Sequence, residues 1–222
     1  MKNFMLYFVL VSTILSSCSK EKNSPVSPSV PNNQSSSVKY IPLAVGNYWV
    51  YETYSIDTLN NKTLISVDSA YVSNTITING HSYYVLDGDP YAINAIGSPI
   101  RNSHDSVIFY DSGNFQEHTL FTSNHLGQVY STSTLDNGSP TNPVNLMELD
   151  VWTNPKKTIT TSLGSFSCFE RQTRATPLVP YPHGVRNFYT YYYESIGVLV
   201  NEFFFFSSPN KYESRLVRYH LN

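Results

Sequence analysis

The chain has 222 residues, with 14 lysines and arginines against 16 acids and a net charge of −2. That near-balance carries no clustered basic face and excludes an electrostatic nucleic-acid binder. Two cysteines, Cys18 and Cys168, and six histidines without ligand spacing supply neither a disulfide framework nor a zinc site.

The chain begins Met1-Lys2-Asn3, one positive charge before an apolar run from Phe4 to Leu15. A membrane-spanning helix needs roughly 20 apolar residues, so this run is too short to be one. A charged start, a short apolar core and the small residues Ser16 and Ser17 have the order of an export signal that is cut away. Residues 1–17 are therefore read as a signal peptide. Without it the chain loses one lysine, and its charge becomes −3.

The stretch Leu15-Ser16-Ser17-Cys18 resembles a bacterial lipobox. The resemblance implies a lipoprotein: a diacylglyceryl group on the Cys18 thiol, cleavage just before it, and a palmitate-type acyl chain on the new amino group. Two or more chains give stable attachment, at about 0.8 kcal/mol per buried CH₂. The expected partner is the membrane, held through this N-terminal lipid. Ser19 stands where an aspartate retains many such proteins at the inner membrane. Ser19-Lys20-Glu21-Lys22 is similar to the charged tags of outer-membrane lipoproteins displayed at the cell surface. The expected location is the cell envelope, at the outer membrane, with surface exposure suggested by the tag.

Residues 18–37 hold the lipidated cysteine and a Ser/Pro/Asn tether, whose composition buries too little apolar surface to fold. Pro25, Pro28 and Pro31 keep part of it extended. From Val38 the chain turns dense in tyrosine, phenylalanine and β-branched residues. Residues 38–222 are long enough for one domain with a substantial core.

The periodicity there is that of strands. Tyr48 to Tyr54 alternates, with Trp49 and Tyr51 on one face and Tyr48 and Val50 on the other. Leu64 to Ile78 ends in Asn79-Gly80, a strong hairpin signal, and His81 to Leu86 returns from it to a turn at Asp87-Gly88-Asp89-Pro90. Ser106 to Tyr110, Phe115 to Thr122 and Gln128 to Leu135 follow. Val144 to Trp152 is the one helical candidate, weighed evenly against an irregular loop. Thr158 to Thr161 pairs with Ser165 to Thr173 around Leu163-Gly164. Phe188 to Tyr193, Val198 to Phe206 and Tyr212 to Leu221 complete the series. The spacing predicts ~10 antiparallel strands and an all-β meander, curved into a partial barrel or a sandwich, with little helix.

Three stretches, "YIPLAVGNYWVYE" from Tyr40, "TITTSLGSFSCFERQ" around Ile159 to Gln172, and "YYYESIGVLVNE" from Tyr191, resemble motifs of a family of uncharacterised bacterial envelope lipoproteins. That family shares a PLxxGNxW-type start and a tyrosine-rich strand leading to "giGlV"; its closing leucine-x-x-tyrosine strand matches Leu216 to Tyr219. The resemblance implies a β-rich exported lipoprotein and brings no catalytic residue. Ser162-Leu163-Gly164 departs from the family's proline-x-glycine turn and leaves that turn's geometry open.

Catalytic constellations are missing. Gly164-Ser165-Phe166-Ser167-Cys168 lacks the second glycine of a nucleophile elbow and sits in a strand pattern. Cys168 reads as a buried small apolar residue. Asp87-Gly88-Asp89 lacks the rest of a calcium loop. No catalytic residue, metal ligand or cofactor is assigned. The aromatic excess at Tyr189, Tyr191, Tyr192 and Tyr193 has two readings, a strand buried on one side or a stacking platform for a ligand. The sequence thus points to a non-enzymatic envelope domain that binds a glycan, a lipid or an envelope protein. Alternatives are a carbohydrate-binding accessory protein using the tyrosines, a carrier of apolar molecules in a half-barrel, and an envelope hydrolase.

Overall fold

The computed structural model describes residues 39–88, 91, 93, 97–139 and 141–222. The leader, Cys18, the tether and the Asp89-Pro90 half of the expected turn lie outside the described residues.

Among the described residues twelve strands form one sheet: β1 (Tyr48–Ile56), β2 (Lys62–Ile78), β3 (His81–Gly88), β4 (Pro99–Ser103), β5 (Ser106–Asp111), β6 (Gln116–Thr122), β7 (Val129–Asp136), β8 (Asn145–Thr161), β9 (Gly164–Pro177), β10 (Arg186–Tyr193), β11 (Gly197–Phe203) and β12 (Lys211–His220). No helix occurs among the described residues. The spatial order runs from β6 back to β1, then β12 back to β7. Every neighbour pair is antiparallel, and β1 pairs with both β2 and β12. The result is a barrel-like meander in which, among the described residues, every neighbouring pair is laddered and β6 and β7 are not.

The turn chemistry behaves as its residues dictate. Asn79 and Gly80 take φ of 50° and 79°, and the register closes on Ile78 opposite His81. Leu163-Gly164 joins β8 to β9, with Thr161 opposite Gly164. The helical candidate Val144 to Trp152 is instead strand from Asn145 on, the first half of β8. Its apolar residues satisfy both periods, and pairing with β7 and β9 selects the period of two, burying Met147 and Val151. The strand β4 was not expected, because Pro99 opens it and only five residues belong to it.

Residues paired across a ladder share a face, so the register identifies the interior. Trp49, Tyr51, Ala70, Val72, Leu86, Ile100, Val107, Phe121, Tyr192 and Leu216 are buried there. Trp49 donates through Nε1 to the Ile196 carbonyl at 2.6 Å, and the Tyr51 hydroxyl donates to the Val198 carbonyl at 2.8 Å. These two bonds fasten β1 to the start of β11, across the intervening β12.

A second interior row is polar. Ser66, Thr53, Ser214, Asn201, Thr190, Arg171 and Thr153 follow one another in register across β2, β1, β12, β11, β10, β9 and β8. Two neighbouring pairs along it are hydrogen-bonded. Thr53 and Ser214 share a hydrogen bond of 2.7 Å, and Thr190 donates to Asn201 at 2.8 Å. The row ends at Arg171 and Thr153, close to the unladdered seam.

Candidate functional site

The seam between β6 and β7 opens into a cleft of about 710 Å³. One wall is Phe109, Asp111, His118 and Leu120 on β5 and β6. The other is Ser131 and Ser133 on β7, Leu149 and Val151 on β8, Arg171 and Thr173 on β9, and Phe188 on β10. Most are inward residues in register: Ser131 opposes Val151, Val151 opposes Thr173, and Thr173 opposes Phe188. The cleft is therefore the mouth of the sheet's own interior. Its volume lies in the range of small-molecule sites.

Side chains bridge the seam where a ladder would have done so. The Leu120 carbonyl on β6 accepts from Arg171 Nε at 2.8 Å and from the Tyr130 hydroxyl at 3.2 Å. Arg171 Nη1 donates to Thr173 Oγ1 at 3.0 Å. Just past β6, the Gly127 amide donates to the Thr153 carbonyl at 2.7 Å. Burial raises the Tyr130 phenol, while the Arg171 charge opposes the rise. Burial also raises the Tyr192 phenol, again against Arg171. The Tyr192 hydroxyl is buried with no hydrogen-bond partner among the described residues.

His118 stacks on Phe109 with centroids 5.1 Å apart. Asp111 is held below its ordinary value by its own turn, chiefly by the Gly113 amide at 2.8 Å, with Asn114 Nδ2 at 2.7 Å on its second oxygen.

The tyrosines singled out in the sequence divide between the two faces of β10. Tyr192 points inward, 1% exposed, and stacks on Phe121 at 4.2 Å. Tyr191 lies on the outer face, 7% exposed, with Lys157 Nζ 5.8 Å from its ring centre. Tyr189 stacks on Tyr191 at 6.4 Å, and Tyr193 meets Phe166 edge-on at 5.0 Å. The β8–β9 hairpin reaches over this outer face as far as β12, where Arg215 Nη1 donates to the Thr160 carbonyl at 3.2 Å. The four tyrosines therefore do not share one open surface.

A second cleft, about 590 Å³, lies against β2 and is walled by Tyr71, Tyr91, Phe203 and Phe205 beside Ser66 and Asp68. Tyr91 stacks on Phe203 at 4.7 Å with rings nearly parallel, and Phe205 meets both edge-on.

On the outer face, Glu202 and Glu213 stand directly opposite each other on β11 and β12, both buried. Lys211 donates to Glu202 at 2.8 Å; Lys62 and Arg215 donate to Glu213 at 2.8 and 2.6 Å. Committed cations on both carboxylates make this a structural ion network. Cys168 is a buried free thiol, pushed up to about 12 by burial, and is not a nucleophile in this state. No group of three metal-ligating side chains occurs among the described residues.

Arg171, Tyr130 and Leu120 were not singled out in the sequence. The one available signal was an arginine on the same strand face as Phe169, Thr173 and Ala175.

No family model matches the chain, and no curated protein matches its sequence. Its structure is similar to that of a Bacteroides fragilis protein proposed to be exported, with a YmcC-like fold. The TM-score is 0.48 at 14% identity, over 82% of this chain and 99% of that one. It is also similar to a Parabacteroides distasonis protein proposed to be a lipoprotein, with a TM-score of 0.49 at 14% identity and the same two coverages.

Proposed function

We propose that this chain is a lipid-anchored β-domain of the bacterial cell envelope that binds a small ligand in the seam cleft and catalyses no reaction. The observation that carries the reading is the cleft itself: an opening of about 710 Å³ into the sheet's interior, walled by side chains of six strands. A sheet with this inward alternation gains by closing and filling, as its other end does around Trp49 and Tyr192. The lipobox supports the anchor at Cys18, and the motif order supports membership of the envelope lipoproteins it resembles.

The test is native mass spectrometry of the full chain extracted from bacterial envelopes, beside a Leu149→Trp variant that puts an indole into the cleft. A co-purified small molecule on the wild type, absent from the variant, is the expected result. A bare protein mass for both overturns the reading. In the same preparation Cys18→Ala is expected to leave the membrane fraction; unchanged pelleting refutes the anchor.

One observation favours a second reading, a carbohydrate at the other cleft. Tyr71, Tyr91 and Phe205 are 42%, 40% and 40% exposed there, beside the Asp68 carboxylate. Rings next to polar groups are what a sugar face requires. Retention on a glycan array that Tyr91→Ala abolishes supports it, and no retention removes it.

A further inference from the structure

Resting on the seam-cleft reading, we propose that the ligand is a small amphiphile carrying a single carboxylate, its head on Arg171 and its chain along Phe109, Leu149, Val151 and Phe188. The argument starts from charge. Six ion pairs occur among the described residues, and none includes Arg171. Its guanidinium faces the cleft and is fixed by two neutral acceptors, the Leu120 carbonyl and Thr173 Oγ1. A cation drawn inward without a counter-ion is costly, and an arriving carboxylate offsets that cost through charge-assisted hydrogen bonds.

The surroundings select among anions. Among the described residues Arg171 is the one permanent cation on the lining, which suits a monoanion better than a phosphate dianion. Asp111, the one carboxylate there among the described residues, has both oxygens engaged by its own turn. It is therefore poorly placed to grip sugar hydroxyls. Away from Arg171 the lining interleaves phenylalanine and branched aliphatic carbon with the polar side chains of Asn114, His118, Thr119, Ser131, Ser133 and Thr134, so the tail it suits is short and met by carbon on only part of its length. A headgroup that wants a guanidinium and a tail that wants carbon describe a fatty-acid-like molecule.

The experiment uses the full lipidated chain in phosphatidylcholine nanodiscs, with empty discs as blank. The probes are a medium-chain carboxylic acid bearing a diazirine on its tail, and its methyl ester. After photolysis, labelled peptides are mapped by mass spectrometry. The acid is expected to mark peptides of β5, β8 and β10, and the ester about tenfold less, the scale of one charge-assisted hydrogen bond. Arg171→Met is expected to bring acid labelling down to the ester's level, Arg171→Lys to restore part of it, and Leu149→Trp to abolish both. Equal labelling by acid and ester overturns the carboxylate assignment and leaves the cleft as a ligand site. Absence of cleft labelling by either probe overturns both this inference and the reading beneath it. If Arg171→Met fails to fold, the wild-type comparison of acid with ester decides alone.

Discussion

The paired acids Glu202 and Glu213 allow a prediction in which two chemically identical substitutions have opposite consequences. Burial raises both carboxyls. At Glu213 the hydrogen bonds from Arg215 and Lys62 outweigh burial and hold the group below its ordinary value. At Glu202 burial prevails over the bonds from Lys211 and the Tyr189 backbone, and the charge of Glu213 opposite adds to the rise. One oxygen of Glu202, Oε2, is buried without a hydrogen-bond partner among the described residues.

Glu213→Gln strips two cations of their counter-ion. Lys62 is 45% exposed and Arg215 33%, so water recovers part of the loss. The cost is about 2–3 kcal/mol rather than the 3–5 of a fully buried broken pair. For a domain of this size, that corresponds to roughly 5–10 °C in melting temperature. Glu202→Gln removes an ion that is costly to bury and a repulsion, and loses one bond to a half-exposed lysine. Its effect at neutral pH lies between nothing and a gain of about 1 kcal/mol.

The pH dependence follows from the same signs. Glu213, depressed in the folded state, stabilises above its unfolded value, and that contribution is lost as pH falls through the lower folded one. Glu202, raised in the folded state, favours folding below its unfolded value, and that contribution is lost as pH rises through the higher folded one. Melting followed by circular dichroism from pH 3 to pH 8 separates the two. Glu202→Gln should flatten the wild-type loss on the rise from mildly acidic to neutral pH, and Glu213→Gln should flatten the loss at the acid end. Equal destabilisation by both variants at neutral pH would refute the assignment of opposite roles.

Two further predictions concern the backbone and the thiol. A Cβ at Gly88 would lie 1.9 Å from the Ser69 carbonyl oxygen, at a φ of 109°, whereas at Gly80 it would meet nothing within 4 Å. Gly88→Ala should therefore cost about 3 kcal/mol or more and Gly80→Ala about 1 kcal/mol, and equal melting temperatures would contradict the close approach. Cys168 should react with an aromatic disulfide reagent at neutral pH only after denaturant is added; prompt reaction in the folded state would show that the thiol is neither buried nor raised.

Strands and tight turns were largely legible because their determinants are local. Alternation in Tyr48 to Tyr54 and the positive-φ pair Asn79-Gly80 act over a few residues, and the fold uses them as written. Val144 to Trp152 was ambiguous because "VNLMELDVW" suits either period; partners on both sides decided it. The cleft was illegible for a related reason. It depends on which strands fail to pair, and β6 and β7 are adjacent in sequence yet lie at opposite ends of the strand order. The polar row from Ser66 to Thr153 is also invisible along the chain, since its members come from seven strands. Tyrosine crowding in Phe188 to Tyr193 was conspicuous and ambiguous together: alternation sends Tyr192 inward and Tyr191 outward, where the β8–β9 hairpin reaches over.

The absence of a ladder between β6 and β7 gives the molecule the mechanics of a split ring. An unbroken hoop of strands has a fixed girth, because any widening must tear a whole row of backbone bonds. Here the described strands are joined by a clasp of two side chains, Tyr130 and Arg171, meeting on the Leu120 carbonyl, so parting this edge breaks side-chain bonds and none of the eleven ladders.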